Sequence, residues 1–313
     1  MGEVRYGTAG WSFPDWYGPF YPAPAPAPDE ASGPGPLFGG RPGPPPDPDV
    51  SLARRDPLAW YARWFDLVEV NASFYRTPAP ETVERWLRTT ARREGAPFLF
   101  AFKLPGTFTH ERAPLERREL EAFRACLEPA RAEARLAAVL AQFPHGFRWN
   151  ESAREHLDRV LEAFHDLPLV VEVRHRSWED EAARRLLAAA GAALANVDQP
   201  PVDGSILPPA ARVTTPRLAY VRLHGRNRQA WFDRDAGRDA RYDYLYTPEE
   251  LAGWAERIEL LSGLAERTLV VANNHYRGQA PANALELRRL REGPAVPVPR
   301  PLLRAYPRLE RTA

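Results

Sequence analysis

The chain of 313 residues is 44% hydrophobic and 27% charged, an ordinary composition for a globular protein. Its net charge of +1 excludes a general electrostatic attraction to nucleic acid or anionic membranes, although a local basic patch is compatible with it. Cys126 is the single cysteine, which excludes a disulfide framework and a cysteine-based zinc site. We expect no signal peptide, no membrane-spanning helix and a cytoplasmic location, since no long apolar run is present.

Eight short apolar runs recur along the chain, and most are separated by helical patterns. Such near-continuous runs are typical of parallel strands that are buried on both faces. The runs span residues 4–10, 67–74, 98–104, 137–143, 169–174, 193–198, 218–224 and 268–273. Eight strand–helix steps predict an α/β fold, a (β/α)₈ TIM barrel, rather than an open doubly wound sheet. No Gly-x-Gly-x-x-Gly motif opens the first unit, and we expect no cofactor.

Helix signals lie between most of these strands. A helix is predicted over 80–92, and Ser177 begins a capping-box pattern for a helix that ends at Gly191. Thr247 begins a stronger pattern of the same kind. The link over 199–217 is too short and too rich in proline for a full helix, so we expect an irregular barrel with a short or missing helix between strands six and seven.

Proline-rich segments define the predicted domain organisation. Residues from about 22 to 50 form a low-complexity Pro/Gly-rich insert, which we interpret as a loop within the domain, with a neutral insertion as the more ordinary interpretation. We predict a single barrel domain over 1–292, followed by a Pro-rich tail over 293–313.

Polar side chains recur near the carboxyl ends of the predicted strands, which meet at one mouth in a parallel barrel. Alternation along each strand predicts which side chains share the interior face. These are Glu69, Asn71, Ser73, Lys103, Gln142, Glu172, Arg174, Asn196, Asp198, Arg222, His224 and either Asn273 or Asn274. Three acids and three bases in this set predict a coupled charge network, and a purely structural lattice of salt bridges is the alternative.

Loops at the same end add further candidates. The aromatic loop that begins at Trp11 can stack a sugar or a base, or can simply cap the barrel. Arg226 follows the seventh strand, and Arg277 precedes a helix whose amino end can bind an anion. For these loops, ligand contact and surface packing both stay open.

The ordered motifs of the chain resemble those of the DUF72 family, also called YecE-like. The matching residues are Gly-Thr-Ala-Gly-Trp-Ser at 7–12, Glu-Val-Asn-Ala-Ser-Phe-Tyr at 69–75, Phe-Lys at 102–103, Glu-Val-Arg-His at 172–175, Tyr-Val-Arg-Leu-His-Gly at 220–225 and Asn-Asn at 273–274. The resemblance implies a TIM barrel but no reaction. The family's barrel is similar to the endonuclease-IV and xylose-isomerase barrels, which implies nucleic-acid or sugar-phosphate ligands by analogy alone. The insert after Tyr21 departs from the family's pattern.

We predict an acid–base enzyme, independent of metal ions, that binds an anionic polyhydroxylated small molecule at the mouth of the barrel. The predicted catalytic residues are Lys103, His224, Glu69, Glu172 and Asp198. The predicted substrate-binding residues are Trp11, Asn71, Tyr75, Gln142, Arg174, Arg222, Arg226, Asn273, Asn274 and Arg277. The sequence leaves open the substrate, the oligomeric state and the reaction, whether hydrolysis, elimination or isomerisation.

Roles follow from the chemistry of each group. His224 is expected to shuttle a proton, because the ordinary pKa of histidine is near neutral pH, with Glu69 or Glu172 as the second partner. Lys103 is the single lysine among 42 lysine and arginine residues. We expect its ammonium to stabilise an oxyanion rather than form a Schiff base, because adjacent acids would raise the pKa of the amine.

Three other classes of function stay open. A phosphodiester- or nucleic-acid-directed activity suits arginines and aromatics at the mouth, although the net charge is near zero. A divalent metal site is a further option, and its ligand types are present at Glu172, His175, Asp198 and His224. Neighbouring arginines would repel a cation, and we predict no metal. The last class is a non-catalytic binding protein.

Overall fold

A closed barrel of eight parallel strands forms the centre of the protein. The computed structural model describes residues 1–23, 47–91, 95–206, 211–231 and 237–311. Each strand pairs with its neighbours in sequence, and the last pairs with the first. The strands are β1 Glu3–Ala9, β2 Leu67–Val70, β3 Leu99–Lys103, β4 Leu136–Gln142, β5 Leu169–Glu172, β6 Ala193–Asp198, β7 Leu218–Leu223 and β8 Arg267–Ala272. The predicted (β/α)₈ architecture is confirmed.

Helices surround the barrel, and local caps explain where several begin. They are α1 Pro48–Arg55, α2 Pro57–Tyr61, α3 Ala72–Tyr75, α4 Pro80–Thr90, α5 Arg117–Ala132, α6 Glu151–Ala163, α7 Glu181–Ala189, α8 Gly237–Arg241, α9 Pro248–Leu264, α10 Gln279–Glu292 and α11 Arg300–Ala305. The capping box predicted at Thr247 is present, since its side chain and that of Glu250 each accept from the other's backbone N–H. Asn150 caps α6 by accepting from the backbone of Ala153.

The capping box predicted at Ser177 is wrong. That residue lies in a single 3-10 turn, Arg176–Trp178, and its hydroxyl accepts from the backbone N–H of Trp149. The helix begins four residues later at Glu181, because Asp180 is the residue whose carboxylate accepts from the first turn of α7.

The second strand is shorter than predicted, and this places a helical turn beside the mouth. It ends at Val70, and residues 72–75 form α3. The Ser73 hydroxyl lies 2.7 Å from the carbonyl oxygens of both Val70 and Lys103, so it ties α3 to the ends of two strands. Ser73 is therefore held by backbone groups and does not line the cavity described below.

The link between β6 and β7 is irregular as expected. Over its described residues, 199–206 and 211–217, it contains no helix. Most of the predicted insert, residues 24–46, lies outside the described residues, and its last three residues already belong to α1. In the segment after Gly293, α11 and a 3-10 turn bury Leu302 and Leu309 against the barrel domain.

Small aliphatic side chains fill the lower barrel and leave its upper end for polar groups. Ala101, Ala138 and Ala195 pack together inside, with leucines and valines from the other strands. The prediction that Asn196 and Asp198 share this interior is wrong. On β6 the alanines and Val197 face inward, and both faces of the strand are buried, so alternation of polarity gave no sign of the correct face.

Candidate functional site

A cavity of about 120 Å³ opens at the carboxyl ends of the strands. It brings together residues from β3, β4 and β7 and from the segments that follow β1, β2, β5, β7 and β8. Its lining consists of Phe13, Asn71, Tyr75, Lys103, Gln142, Arg174, Arg222, Tyr242, Asn273 and His275. Seven of these ten were predicted from the sequence, all of them except Phe13, Tyr242 and His275. Mouths of parallel barrels are where enzymes of this architecture place their sites.

The floor of the cavity is a buried charge network centred on Arg222. Its guanidinium donates to Glu172 Oε2 at 2.5 Å and to Glu69 Oε1 at 2.6 Å, and the three side chains are at most 2% exposed. The Tyr220 hydroxyl donates to the other oxygen of Glu69 at 2.8 Å. Burial alone would raise the pKa of Glu172, but Arg222, His224 and Arg174 hold it well below its ordinary value. Glu172 is thus a permanent carboxylate.

His224 belongs to this network and is fully buried. The amide nitrogen of Asn273 contacts its Nδ1 atom at 2.8 Å, so Nδ1 accepts and Nε2 carries the proton. That proton points to Glu172 Oε1 at 3.2 Å. Burial, with help from Arg174, lowers the pKa of His224 to about 3. The expectation that His224 titrates near neutral pH is therefore wrong, and it does not line the cavity.

Arg174 joins the network to the cavity. Its Nε atom donates to Glu172 Oε1 at 2.9 Å, and its guanidinium lies over the ring of Trp231 with 5.4 Å to the ring centroid. No described residue accepts a hydrogen bond from its Nη1 atom. The carboxylate below and the indole beside it fix the plane of the guanidinium, which leaves a directed donor at the cavity.

Lys103 ends β3 and places its amine in the same cavity. Its Nζ atom lies 3.9 Å from the ring centroid of Phe74, and it makes no hydrogen bond or ion pair to the part of the chain that the structure describes. Burial, followed by repulsion from Arg222, lowers the pKa of Lys103 to about 7, although Glu69 and Glu172 act in the opposite direction. Glu69 and Glu172 do act to raise this pKa, but burial and Arg222 outweigh them, so the expected net rise is wrong.

The Phe74 ring beneath Lys103 is closely packed by its neighbours. A Cβ atom added at Gly106 would lie 3.0 Å from the edge of this ring, closer than packed atoms normally approach. His110 packs edge-on at 4.7 Å between ring centroids. The ring therefore has little room to move relative to the amine.

Aromatic side chains form the rim of the cavity. His275 stacks on Phe13 at 4.6 Å between ring centroids and lies 5.0 Å from Tyr242. Tyr75 is 78% exposed at the opposite edge. Phe13 and Tyr242 lie in loop segments whose aromatic character is evident from the sequence. The alternation of inward and outward side chains holds for strands and does not predict the position of a loop residue. His275 directly follows the asparagine pair after β8.

Two predicted residues, Asp198 and Arg226, form a separate network on the outer side of the barrel. Asp198 accepts from Trp254 Nε1 at 2.6 Å and from Arg226 at 2.8 Å. Arg226 also donates to Glu250 at 2.7 Å. Neither residue lines the cavity, so the expectation that they share one chamber with Lys103 is wrong. Asp198 lies outside because Ala193, Ala195 and Val197 are the residues of β6 that face the interior, and Arg226 pairs with Asp198 there.

Three other predicted residues lie away from the cavity. Asn274 faces outward and donates to Asn283 of α10 at 2.8 Å. The backbone of Arg277 donates to Asp15, and its guanidinium lies over Tyr276, its neighbour in sequence. Trp11 packs edge-on against Trp86 at 5.2 Å. The partners of these three residues do not line the cavity either.

Within the described ranges, no group of three or more His, Cys, Asp or Glu side chains is arranged to hold a metal ion. Nor does any described helix combine the length and apolar character needed to cross a bilayer. The metal-free mechanism and the cytoplasmic location stay predictions.

The fold and the site define a (β/α)₈-barrel protein with a charged cavity at the carboxyl ends of its strands. Residues 48–304 match the family model described as "Protein of unknown function DUF72". The chain belongs to the DUF72 family, which confirms the resemblance drawn from its motifs.

Relatives of known sequence or structure agree with this assignment. UPF0759 protein YunF of Bacillus subtilis is 30% identical over 247 residues, which cover 75% of this chain and 86% of YunF. UPF0759 protein YecE of Escherichia coli is 43% identical over 56 residues, 18% of this chain and 19% of YecE. The crystal structure of a DUF72 family protein from Thermotoga maritima superposes with a TM-score of 0.73 at 32% identity, covering 93% of this chain and 99% of that one. A family member from Enterococcus faecalis gives a TM-score of 0.66 at 26% identity, with 77% and 94% covered.

Proposed function

We propose that this protein is an enzyme that binds a small anionic, hydroxyl-bearing molecule at the mouth of its barrel and transfers protons on it without a metal ion. The observation that carries the proposal is the meeting of Lys103 and Arg174 in one small cavity above a neutralised floor. Arg222 and Arg174 balance Glu69 and Glu172. Among the described residues of the cavity and its floor, Lys103 is therefore the cation left without a carboxylate, and an anion is the ligand that such a cation attracts.

The neutral groups of the lining suit a ligand with hydroxyl groups. Asn71, Gln142 and Asn273 supply amide donors and acceptors, and Tyr75 and Tyr242 supply phenols at the rim. A planar guanidinium pairs with phosphate or carboxylate through two parallel hydrogen bonds. The volume of about 120 Å³ is well below the roughly 300–1,000 Å³ of sites for drug-sized ligands, which favours a small molecule over an oligonucleotide.

In this proposal Lys103, and not His224, is the residue that transfers protons. His224 is enclosed and its pKa of about 3 keeps it neutral, whereas the amine of Lys103 reaches the cavity and its pKa is about 7. A group whose pKa is near the working pH accepts and returns protons most effectively. Glu69, Glu172 and His224 then act as positioning residues that hold the two arginines.

Anion binding has a pH signature that follows from Lys103. The site is more positive below pH 7 than above it, so affinity for an anion falls as the pH rises through 7. A bound anion in turn favours the ammonium form, and binding above pH 7 takes up protons from solution.

Thermal stabilisation by defined compounds tests the proposal. The probes are inorganic phosphate, dihydroxyacetone phosphate and ribose 5-phosphate, with dihydroxyacetone and ribose as uncharged partners and a short single-stranded oligonucleotide as the competing class, all with EDTA present. Occupancy at a hundred times Kd raises the free energy of unfolding by about 2.7 kcal/mol. Arg174→Gln should weaken binding at least about tenfold, whereas Arg185→Gln on α7, 70% exposed, should not.

Four results would contradict the proposal. Equal binding of phosphates and their uncharged partners would remove the role of the anion. Unchanged affinity in Arg174→Gln would place binding elsewhere. Stabilisation by the oligonucleotide alone would favour the nucleic-acid-directed class, and binding without turnover of any probe would leave a non-catalytic binding protein.

A further inference from the structure

The amine of Lys103 has properties that a purely electrostatic role does not need. It is the only lysine of the chain, in a composition where arginine supplies the remaining positive charge. An arginine would give a permanent cation, but its guanidinium is not a nucleophile. Lys103 Nζ faces the ring of Phe74 and has no carboxylate partner among the described residues. An ion pair would hold the amine protonated, and its absence from this part of the chain leaves the lone pair accessible.

We propose that Lys103 is a covalent catalytic residue that forms an imine with the carbonyl carbon of an aldehyde or ketone bearing a phosphate or carboxylate group. This inference rests on the proposed function, because the anionic group is held by Arg174 in the same cavity. Burial and, after it, Arg222 keep the amine partly unprotonated at neutral pH, because they lower its pKa to about 7 although Glu69 and Glu172 act to raise it. His110, beside Phe74, is neutral because burial, with Lys103, lowers its pKa to about 4.

The reaction balances without an oxidant or a reductant. The lone pair of Nζ attacks the carbonyl carbon, a C–N bond forms, and the carbonyl oxygen takes up the proton released from nitrogen, which gives a carbinolamine. The nitrogen lone pair then expels the hydroxyl group, which takes one proton from solvent and leaves as water. A C=N bond replaces the C–O bond, and the nitrogen keeps its hydrogen, which gives the protonated imine. The protonated imine draws electrons from the neighbouring carbon, so a proton bound there becomes acidic. This is the chemistry that an enzyme transferring protons on a carbonyl compound requires.

The surroundings of Nζ suit this step. The ring of Phe74 covers one side of the amine, and Gly106 leaves that ring just enough space to lie there. Ser73 fixes the turn that carries Phe74 to the backbone of Lys103. The polar lining, with Asn71 and Gln142, can hold the carbonyl oxygen as it gains a proton. The two sides of the amine therefore differ, one apolar and one polar.

Reductive trapping tests the inference with unusual clarity, because the chain has one lysine. The protein is incubated with dihydroxyacetone phosphate or glyoxylate and sodium cyanoborohydride, and the adduct is located by peptide mass mapping. Only Lys103 and the α-amino group can form a stable secondary amine, so the α-amino group is an internal reference. We expect Lys103 to be labelled about tenfold faster, with saturation in the probe and a rate that rises through pH 7 rather than pH 10. Dihydroxyacetone, which lacks the anion, should label it slowly.

Matched variants separate this inference from the proposed function. Lys103→Arg should reduce the adduct to the α-amino background while phosphate still stabilises the protein. Arg174→Gln should slow labelling by dihydroxyacetone phosphate, and Arg185→Gln should not. Labelling of Lys103 no faster than the α-amino group, with phosphate binding intact, would overturn the imine and leave the anion site standing. Rapid labelling that inorganic phosphate does not inhibit would support the imine and overturn the anion site.

Discussion

Replacing Arg222 with methionine is the most severe test of the buried network. The substitution keeps much of the side-chain volume but removes the guanidinium that donates to Glu69 at 2.6 Å and to Glu172 at 2.5 Å. Glu172 keeps Arg174 and His224, whereas Glu69 keeps Tyr220 alone among the hydrogen-bond donors of the described residues. Breaking a buried ion pair by removing one partner costs about 3–5 kcal/mol, because a charge stays buried without compensation. That is a large part of the roughly 5–15 kcal/mol that stabilises a typical protein.

The pH dependence of this loss is predicted as well. In the native protein the pKa of Glu172 is depressed, so its contribution is present above its unfolded pKa and is lost as the pH falls through its lower folded pKa. In Arg222→Met the Glu69 carboxylate stays buried beside Tyr220 without its guanidinium, and this burial is costly only while the carboxylate is charged. The difference in unfolding free energy between the two proteins should therefore be larger at pH 7.5 than at pH 5. Urea unfolding followed by circular dichroism measures this difference at both pH values. The slope m of the unfolding free energy against urea concentration reveals any change in compactness.

A triple variant controls for loss of packing. Glu69→Gln, Glu172→Gln and Arg222→Met together remove every charge of the central trio, and well-packed neutral replacements of a buried ion group are often as stable. We expect the triple variant to recover most of the lost stability at pH 7.5. A loss below about 1 kcal/mol in Arg222→Met, or an equal loss at both pH values, would refute the reasoning.

Three further predictions concern other parts of the molecule. In the unaltered protein the free energy of unfolding should rise between pH 7 and 10, because Lys103 binds a proton there in the unfolded chain but not in the folded one. Lys103→Met should remove this rise, and parallel pH curves for the two proteins would contradict the prediction. Thr247→Ala should cost about 1 kcal/mol in urea unfolding through loss of the capping box of α9, and an unchanged midpoint would argue against that cap. Asp198→Asn should cost about 1–3 kcal/mol through weaker bonds to Arg226 and Trp254, yet leave phosphate affinity unchanged, since Asp198 does not line the cavity. Lost affinity with intact stability would contradict that placement.

The fold was predictable because burial on both faces of a parallel strand leaves a pattern in the sequence. All eight apolar runs contain strands, and the gap between β6 and β7 has too much proline for a helix. The same burial made the faces of β6 ambiguous, so Asn196 and Asp198 were assigned to the wrong side. The strands β5 and β7 are buried on both faces as well, and there Glu172 and Arg222 do lie on the inward face.

The composition of the site was more predictable than its protonation. Alternation gave most of the lining because strand ends converge in a barrel, whereas Phe13 and Tyr242 reach it through loops whose course depends on tertiary contacts. Whether the pKa of Lys103 or of His224 is raised or lowered depends on burial and on the cations with which each carboxylate is already paired. Arg222 and Arg174 together pair with the two glutamates, and no spacing in the sequence reveals that arrangement.

The contact between Gly106 and Phe74 has a consequence for how related barrels diverge. Any larger residue at position 106 displaces the ring and thereby alters the basicity of the amine above it, since a ring face favours the ammonium form. Gly106 itself does not line the cavity. A single methyl group outside the ligand's reach can thus retune reactivity, which offers evolution a means of adjusting working pH while every contact to the bound molecule is preserved.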